Sequence, residues 1–195
     1  MTDPAACPGM AGDPLADEPS AWVRRHAALI PPGARVLDLA AGRGRHARWL
    51  ASQGHVVLAV DRDPVALSVL AGVGNVEIRV VDLEAGDWPL AGETFDAIVV
   101  TRYLHRPTFP ALLDALAEDG TLIYETFARG QEFFGRPTRP EFLLEPGELL
   151  ERVRGRLSVV AYEEGLDGRR GAPAVLQRLA AVGPARARPW PLPVA

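Results

Sequence analysis

The sequence predicts an α/β protein: a doubly wound, mostly parallel sheet between two helical layers, closed at one edge by an antiparallel hairpin. Three observations predict it. Short, near-continuous apolar runs alternate with stretches of helical periodicity, the pattern of parallel strands covered on both faces. One such run, 36–39, passes directly into the glycine-bearing turn Ala40-Ala41-Gly42-Arg43-Gly44 and then into a helical stretch. Near the end of the chain, two strand-like runs flank the turn-rich DGRRG, as in a hairpin.

Taken in order, residues 1–19 are rich in Pro, Gly, Ala and Asp without periodicity and read as a disordered tail. Ser20 can cap a helix carrying Trp22, Val23, Ala27 and Ile30 on one face, which Pro31-Pro32 stops. Strands are expected at 35–40, 55–60, 76–81, 96–101 and 120–127, and helices at 44–53, 64–71, 108–117 and 146–154. Between the third and fourth strands, LEAGDWPLAGET is too broken by Gly and Pro for a helix, so that crossover is expected as a loop. Residues 128–145 form an aromatic and arginine-bearing loop, expected to fold over the site as a lid. The hairpin strands are 157–165 and 172–182, and the tail 184–195 reads as unpacked. One domain, 20–183, accounts for the rest, as the length of 195 residues suits.

Composition prunes the functions this domain can have. All 21 basic residues are arginine, so a Walker-type phosphate lysine, a Schiff-base lysine and a Tyr/Lys dehydrogenase pair are excluded. The one cysteine, Cys7, excludes an intrachain disulfide framework or cysteine metal cluster and suits a reducing cytoplasm. No metal site is expected. A net charge of −4 argues against a broad basic face for nucleic acid. No apolar run approaches the roughly 20 residues that span a bilayer, and the opening residues lack a basic segment followed by an apolar one. A monomer or weak homodimer acting on a small molecule or oxyanion is the expectation.

The chemistry is concentrated at the ends of the strands. Gly42 and Gly44 let a ligand approach the main chain, and the helix that follows presents free N–H groups. Asp38 is a carboxylate inside an apolar strand and needs a partner, for which an amino group of the ligand would serve. Asp61 ends the second strand 19 residues beyond Gly42, where an acid accepts hydrogen bonds from ribose hydroxyls. Asp82 ends the third strand, placed to accept an exocyclic amine. In an open α/β sheet the carboxyl edge is where ligands bind. The spacing Gly42-x-Gly44-x-x-Ala47 also fits a dinucleotide fingerprint, which keeps an NAD(P)-binding protein as an alternative; Arg62 beside Asp61 leaves room for NADP. A cofactor-binding protein without catalysis is another.

These residues resemble the class I S-adenosylmethionine-dependent methyltransferases, with their Rossmann-like sheet, over residues 30–182. In that family an acidic residue precedes G-x-G-x-G; here Asp38 is the acid and Ala40 replaces the first glycine. The resemblance implies S-adenosylmethionine as cofactor, with Asp61 on the ribose, Asp82 at the adenine, and Ala40, Gly42, Gly44, Arg62, Leu83 and Thr101 among the cofactor contacts. The string at 124–151, YETFARGQEFFGRPTRPEFLLEPGELLE, is similar to small bacterial enzymes of the tellurite-resistance type. Acceptor contacts are expected after the fourth and fifth strands. Tyr103 and His105 are the candidates for catalysis, and Arg106, Tyr124, Glu125 and Arg129 for the acceptor. His46 and His55 read as structural. The Asn/Asp-Pro-Pro-aromatic motif of amino-methylating nucleic-acid enzymes is missing after the fourth strand.

Overall fold

The computed structural model describes residues 18–168 and 173–191. Seven strands form one sheet in the order β3-β2-β1-β4-β5-β7-β6. These are β1 (Arg35–Leu39), β2 (Val56–Asp61), β3 (Val76–Val80), β4 (Phe95–Thr101), β5 (Leu116–Phe127), β6 (Ser158–Asp167) and β7 (Ala174–Val182). The first five strands run parallel; β7 pairs antiparallel with both β5 and β6. Each predicted strand is present, the fold class is as expected, and the order reverses between β2-β1 and β4-β5. A crevice at that reversal, outside the carboxyl ends of β1 and β4, is where doubly wound sheets take ligands.

Burial on both faces explains why the strands read as unbroken apolar runs. Val36, Val57, Ala59, Val99 and Ile123 pack against Trp22 and Val23 of α1 (Ala21–His26), Ala47 and Leu50 of α2 (Arg45–Ser52), and Leu67 of α3 (Pro64–Leu67). Their strand neighbours Leu37, Leu58, Ile98, Val100 and Leu122 face the other way, onto Phe109 and Leu112 of α4 (Phe109–Asp114) and Leu149 and Val153 of α5 (Glu148–Val153). The edge strands β3 and β6 are the exceptions, with Val80 and Leu166 at least half exposed.

Local chemistry sets the helix ends. Ser20 caps α1 by accepting the amide of Trp22. Asp63 caps α3 through the amides of Val65 and Ala66, with Pro64 in the first turn. The helix expected over 64–71 tightens after Leu67 into a 3₁₀ turn at Ser68–Leu70. That expected over 108–117 stops at Asp114, because the Ala115 carbonyl accepts the amide of Phe95 and draws the chain into β5 four residues earlier than read. The segment after β3 carries no helix, as its composition required.

The ends depart from the sequence reading in one place. Residues 1–17, 169–172 and 192–195 lie outside the described residues, and with them most of the tail expected at 1–19 and the tip of the hairpin. In the tail expected to be loose from Pro184, Arg186 donates to the Leu29 carbonyl at 2.8 Å and Trp190 packs against the α1–α2 side of the core. Among the described residues, no helix is long and apolar enough to cross a membrane. No group of three His, Cys, Asp or Glu among them could hold a metal ion.

Candidate active site

The turn after β1 is built from left-handed backbone. Ala40, Gly42 and Gly44 all have positive φ (55°, 54° and 67°). For Ala40 that conformation carries strain of order 1–2 kcal/mol, which a glycine would avoid. Gly44 is required twice over, since a Cβ there would also drive into Leu70 at 2.4 Å. Beside Gly42 the opposite holds: a Cβ would project into open space, with nothing within 4 Å. Free volume lies directly against the main chain at that point, the property a ligand cradle needs.

Two acids hold this loop in shape. The Oδ2 of Asp38, 1% exposed, accepts the amide of Ala47 at 2.9 Å, one of the free N–H groups in the first turn of α2. Burial pushes the Asp38 carboxyl up to about 7; the Ala47 amide and the charge of Arg45 act in the other direction. Asp61 bridges β2 to the loop, Oδ2 accepting Gly42 N at 2.7 Å and Oδ1 accepting Asp63 N at 3.0 Å. Each of its oxygens keeps a lone pair for a ligand hydroxyl. Asp82, exposed after β3, takes the Glu84 amide at 2.9 Å, and Leu83 beside it is buried. Arg62 is exposed next to Asp61. The residues expected at a nucleoside are therefore gathered at one edge, over the ends of β1, β2 and β3.

Beyond β4 the structure divides the expected acceptor residues. The His105 Nδ1 is buried with no hydrogen-bond partner among the described residues, and the buried Tyr103 hydroxyl lies beside the Thr108 side chain. Burial and then the charge of Glu84 hold the Tyr103 phenol far above its ordinary range, so it stays protonated and can only donate or accept a hydrogen bond.

Four other residues have partners within the protein. Tyr124 is 1% exposed, stacks on Phe109 and donates its hydroxyl to the Tyr103 carbonyl at 2.8 Å. Glu125 points to the other face, where it accepts from Arg178 Nε at 2.6 Å; Arg178 also binds Asp167 and Glu163. Arg106 is bidentate to Glu148 (2.8 and 2.7 Å) and donates to the carbonyls of Glu141 and Leu143. Arg129 pairs with Glu145 at 2.8 Å. Sequence reasoning missed Glu148, Arg152 and Arg178, because nothing in their own neighbourhoods marks them as partners of residues in another part of the chain.

The expected lid is a strap with a pinned base. Ala128 pairs with Leu144, Leu143 and Leu144 are fully buried, and Gln131 accepts the amide of Val175. Its tip carries the exposed Phe133.

A doubly wound seven-stranded sheet with an antiparallel last strand pair, a glycine turn after β1 and acids closing the first three strands define the class I S-adenosylmethionine-dependent methyltransferase fold. Residues 36–119 match the family described as a methyltransferase domain. Among curated proteins, the chain is 39% identical over 102 residues to a protein-L-isoaspartate O-methyltransferase of Gloeobacter violaceus, covering 50% of this chain and 49% of that one. A protein of the same name from Methylorubrum populi is 36% identical over 118 residues, covering 58% and 54%. The chain thus spans about half the length of the curated relatives it matches. Among solved structures, TehB from Haemophilus influenzae superposes with a TM-score of 0.69 at 20% identity, over 83% of this chain and 61% of that one. A TehB-like SAM-dependent methyltransferase from Corynebacterium glutamicum gives 0.57 at 23% identity, over 80% and 85%. The cofactor of this fold is S-adenosylmethionine, and the residues here fit it. Asp38 is a buried acid available to an ammonium, open space lies against Gly42, and Asp61 is set for ribose hydroxyls.

Proposed function

We propose that this protein is a methyltransferase that moves the methyl group of S-adenosylmethionine onto a small-molecule nucleophile held beyond the end of β4. The observation that supports the reading is the buried His105 Nδ1, unpartnered among the described residues, in the segment that follows β4 together with Tyr103. A buried polar atom without a partner costs about 1–3 kcal/mol, which a ligand bound at His105 would offset.

When bound, S-adenosylmethionine supplies the methyl group and leaves as the thioether. Asp38, the Gly42 main chain, Asp61 and Asp82 hold and orient it. Positioning supplies a large part of the rate of such an in-line displacement. A proton on the nucleophile would pass to His105 Nδ1. The Tyr103 hydroxyl, held neutral, orients the nucleophile. Of the two acceptor classes expected, a small molecule is favoured over an oxyanion, because Arg106 is already engaged by Glu148 and by the carbonyls of Glu141 and Leu143.

With an acceptor in hand, His105→Ala is expected to lower kcat about 10²-fold at unchanged cofactor affinity. Unaltered kcat in His105→Ala and Tyr103→Phe would place the acceptor elsewhere. A second reading, a carboxyl group on a protein, is favoured by the shared name of the two curated relatives. Turnover of an isoaspartyl peptide would establish it.

A further inference from the structure

We infer that His46 is a positioning residue which aims the Thr101 hydroxyl at the amino-acid end of the bound cofactor. The inference rests on the methyltransferase reading above and deepens it. His46 opens α2 directly after the glycine turn and is 1% exposed. Its Nε2 accepts the backbone N–H of Ser20 at 3.1 Å. An amide N–H can only donate, so Nε2 bears a lone pair and the neutral ring carries its proton on Nδ1. That nitrogen faces Thr101 Oγ1 at 3.4 Å. The direction of the bond follows: Nδ1–H donates and the threonine oxygen accepts. The hydroxyl proton of Thr101 is then turned away from the ring. Among the described residues no other hydrogen bond involves that hydroxyl.

Strand register says where this donor stands. Asp38 of β1 lies opposite Val99 of β4. Thr101 is two residues further along β4, on the same face and one pleat closer to the carboxyl edge. Thr101 thus neighbours the acid that receives the cofactor's ammonium, on the side of the sheet carrying α2, while Tyr103 packs against the opposite core. A hydroxyl donor one pleat from an ammonium-binding acid fits the carboxylate of the same amino-acid moiety. The chain Ser20–His46–Thr101 also couples the start of α1 to this contact, which the separation of 55 residues between His46 and Thr101 conceals in the sequence.

The test compares two ligands by calorimetry on the full chain: S-adenosylhomocysteine, and 5′-methylthioadenosine, which lacks the amino-acid moiety. Thr101→Val, isosteric and β-branched, is expected to weaken S-adenosylhomocysteine about tenfold and leave 5′-methylthioadenosine unchanged. Thr101→Ser is expected to keep both affinities. His46→Asn places an amide nitrogen where Nδ1 stood and is expected to retain most of the affinity. His46→Gln keeps an acceptor for Ser20 but no donor for Thr101, and is expected to behave like Thr101→Val. A purely structural role would weaken both ligands in parallel. Parallel loss, or no loss in Thr101→Val, overturns the inference while leaving the methyltransferase reading intact. Failure of the unaltered protein to bind either ligand overturns the reading itself.

Discussion

The two halves of the carboxyl edge hold their charged groups in opposite ways. Over β1, β2 and β3, the carboxylates Asp38, Asp61 and Asp82 accept hydrogen bonds from main-chain amides and fix a turn. Over β5, β7 and the strap, Glu125 and Glu148 are engaged by Arg178, Arg106 and Arg152. The difference is chemical. An amide that donates to a carboxylate brings no full positive charge, whereas a guanidinium in contact with it does. We read the first half as the binding surface and the second as a frame, with Tyr103 and His105 between them.

The largest expected effect is on the frame. Arg178→Ala removes the guanidinium that the buried Glu125 accepts from and is expected to destabilise the protein by about 3–5 kcal/mol in denaturant unfolding. A loss below about 1 kcal/mol would show that the cluster is solvated and that the two halves do not differ in this way.

Acid should separate the halves by sign. Burial raises the folded Asp38 carboxyl to about 7, so the fold favours its protonated form; the stability that this gives is present at low pH and is lost as pH rises through 7. Burial alone would also raise Glu148, but its bonds to Arg106, the Glu145 amide and Arg152 outweigh that and bring it down to about 2. Its contribution is present above the ordinary glutamate range and is lost as pH falls toward 2. Unfolding curves of Asp38→Asn are therefore expected to lose pH dependence between 4 and 7, and those of Glu148→Gln between 5 and 2. An ammonium ligand needs ionised Asp38, so cofactor affinity is expected to rise with pH through 7. An identical pH slope in Asp38→Asn would contradict this.

The smallest effect is at Arg129, whose pair with Glu145 is 39% and 55% exposed. Arg129→Ala is expected to change stability by no more than about 0–1 kcal/mol, again read by denaturant unfolding. A larger loss would extend the frame to the strap.

The same division governs what could be read from the sequence. The binding half was legible because its determinants are local. Strands buried on both faces read as apolar runs, the turn announces itself by Gly42 and Gly44, and Asp61 follows at a spacing that a single crossover fixes. The frame was not legible, because its partners meet only through sheet register and tertiary packing. Arg106 and Glu148 are 42 residues apart, Glu125 and Arg178 53. Seen alone, Arg106, Arg129 and Glu125 look like free charges near a site, which is why they were expected at the acceptor. The over-long helix at 108–117 has a related cause: Ala115-Leu116-Ala117-Glu118 favours a helix by propensity, and pairing with Phe95 overrides it.

Ligand-dependent thermal stability of the full chain tests the central claim most directly, that the turn after β1 and the acids around it bind S-adenosylmethionine. S-adenosylmethionine and S-adenosylhomocysteine are expected to raise Tm while NAD and NADP leave it unchanged. Asp61→Ala is expected to diminish the rise, through an affinity loss of about 1–3 kcal/mol. A rise with NAD or NADP alone, or a full rise in Asp61→Ala, would contradict the account.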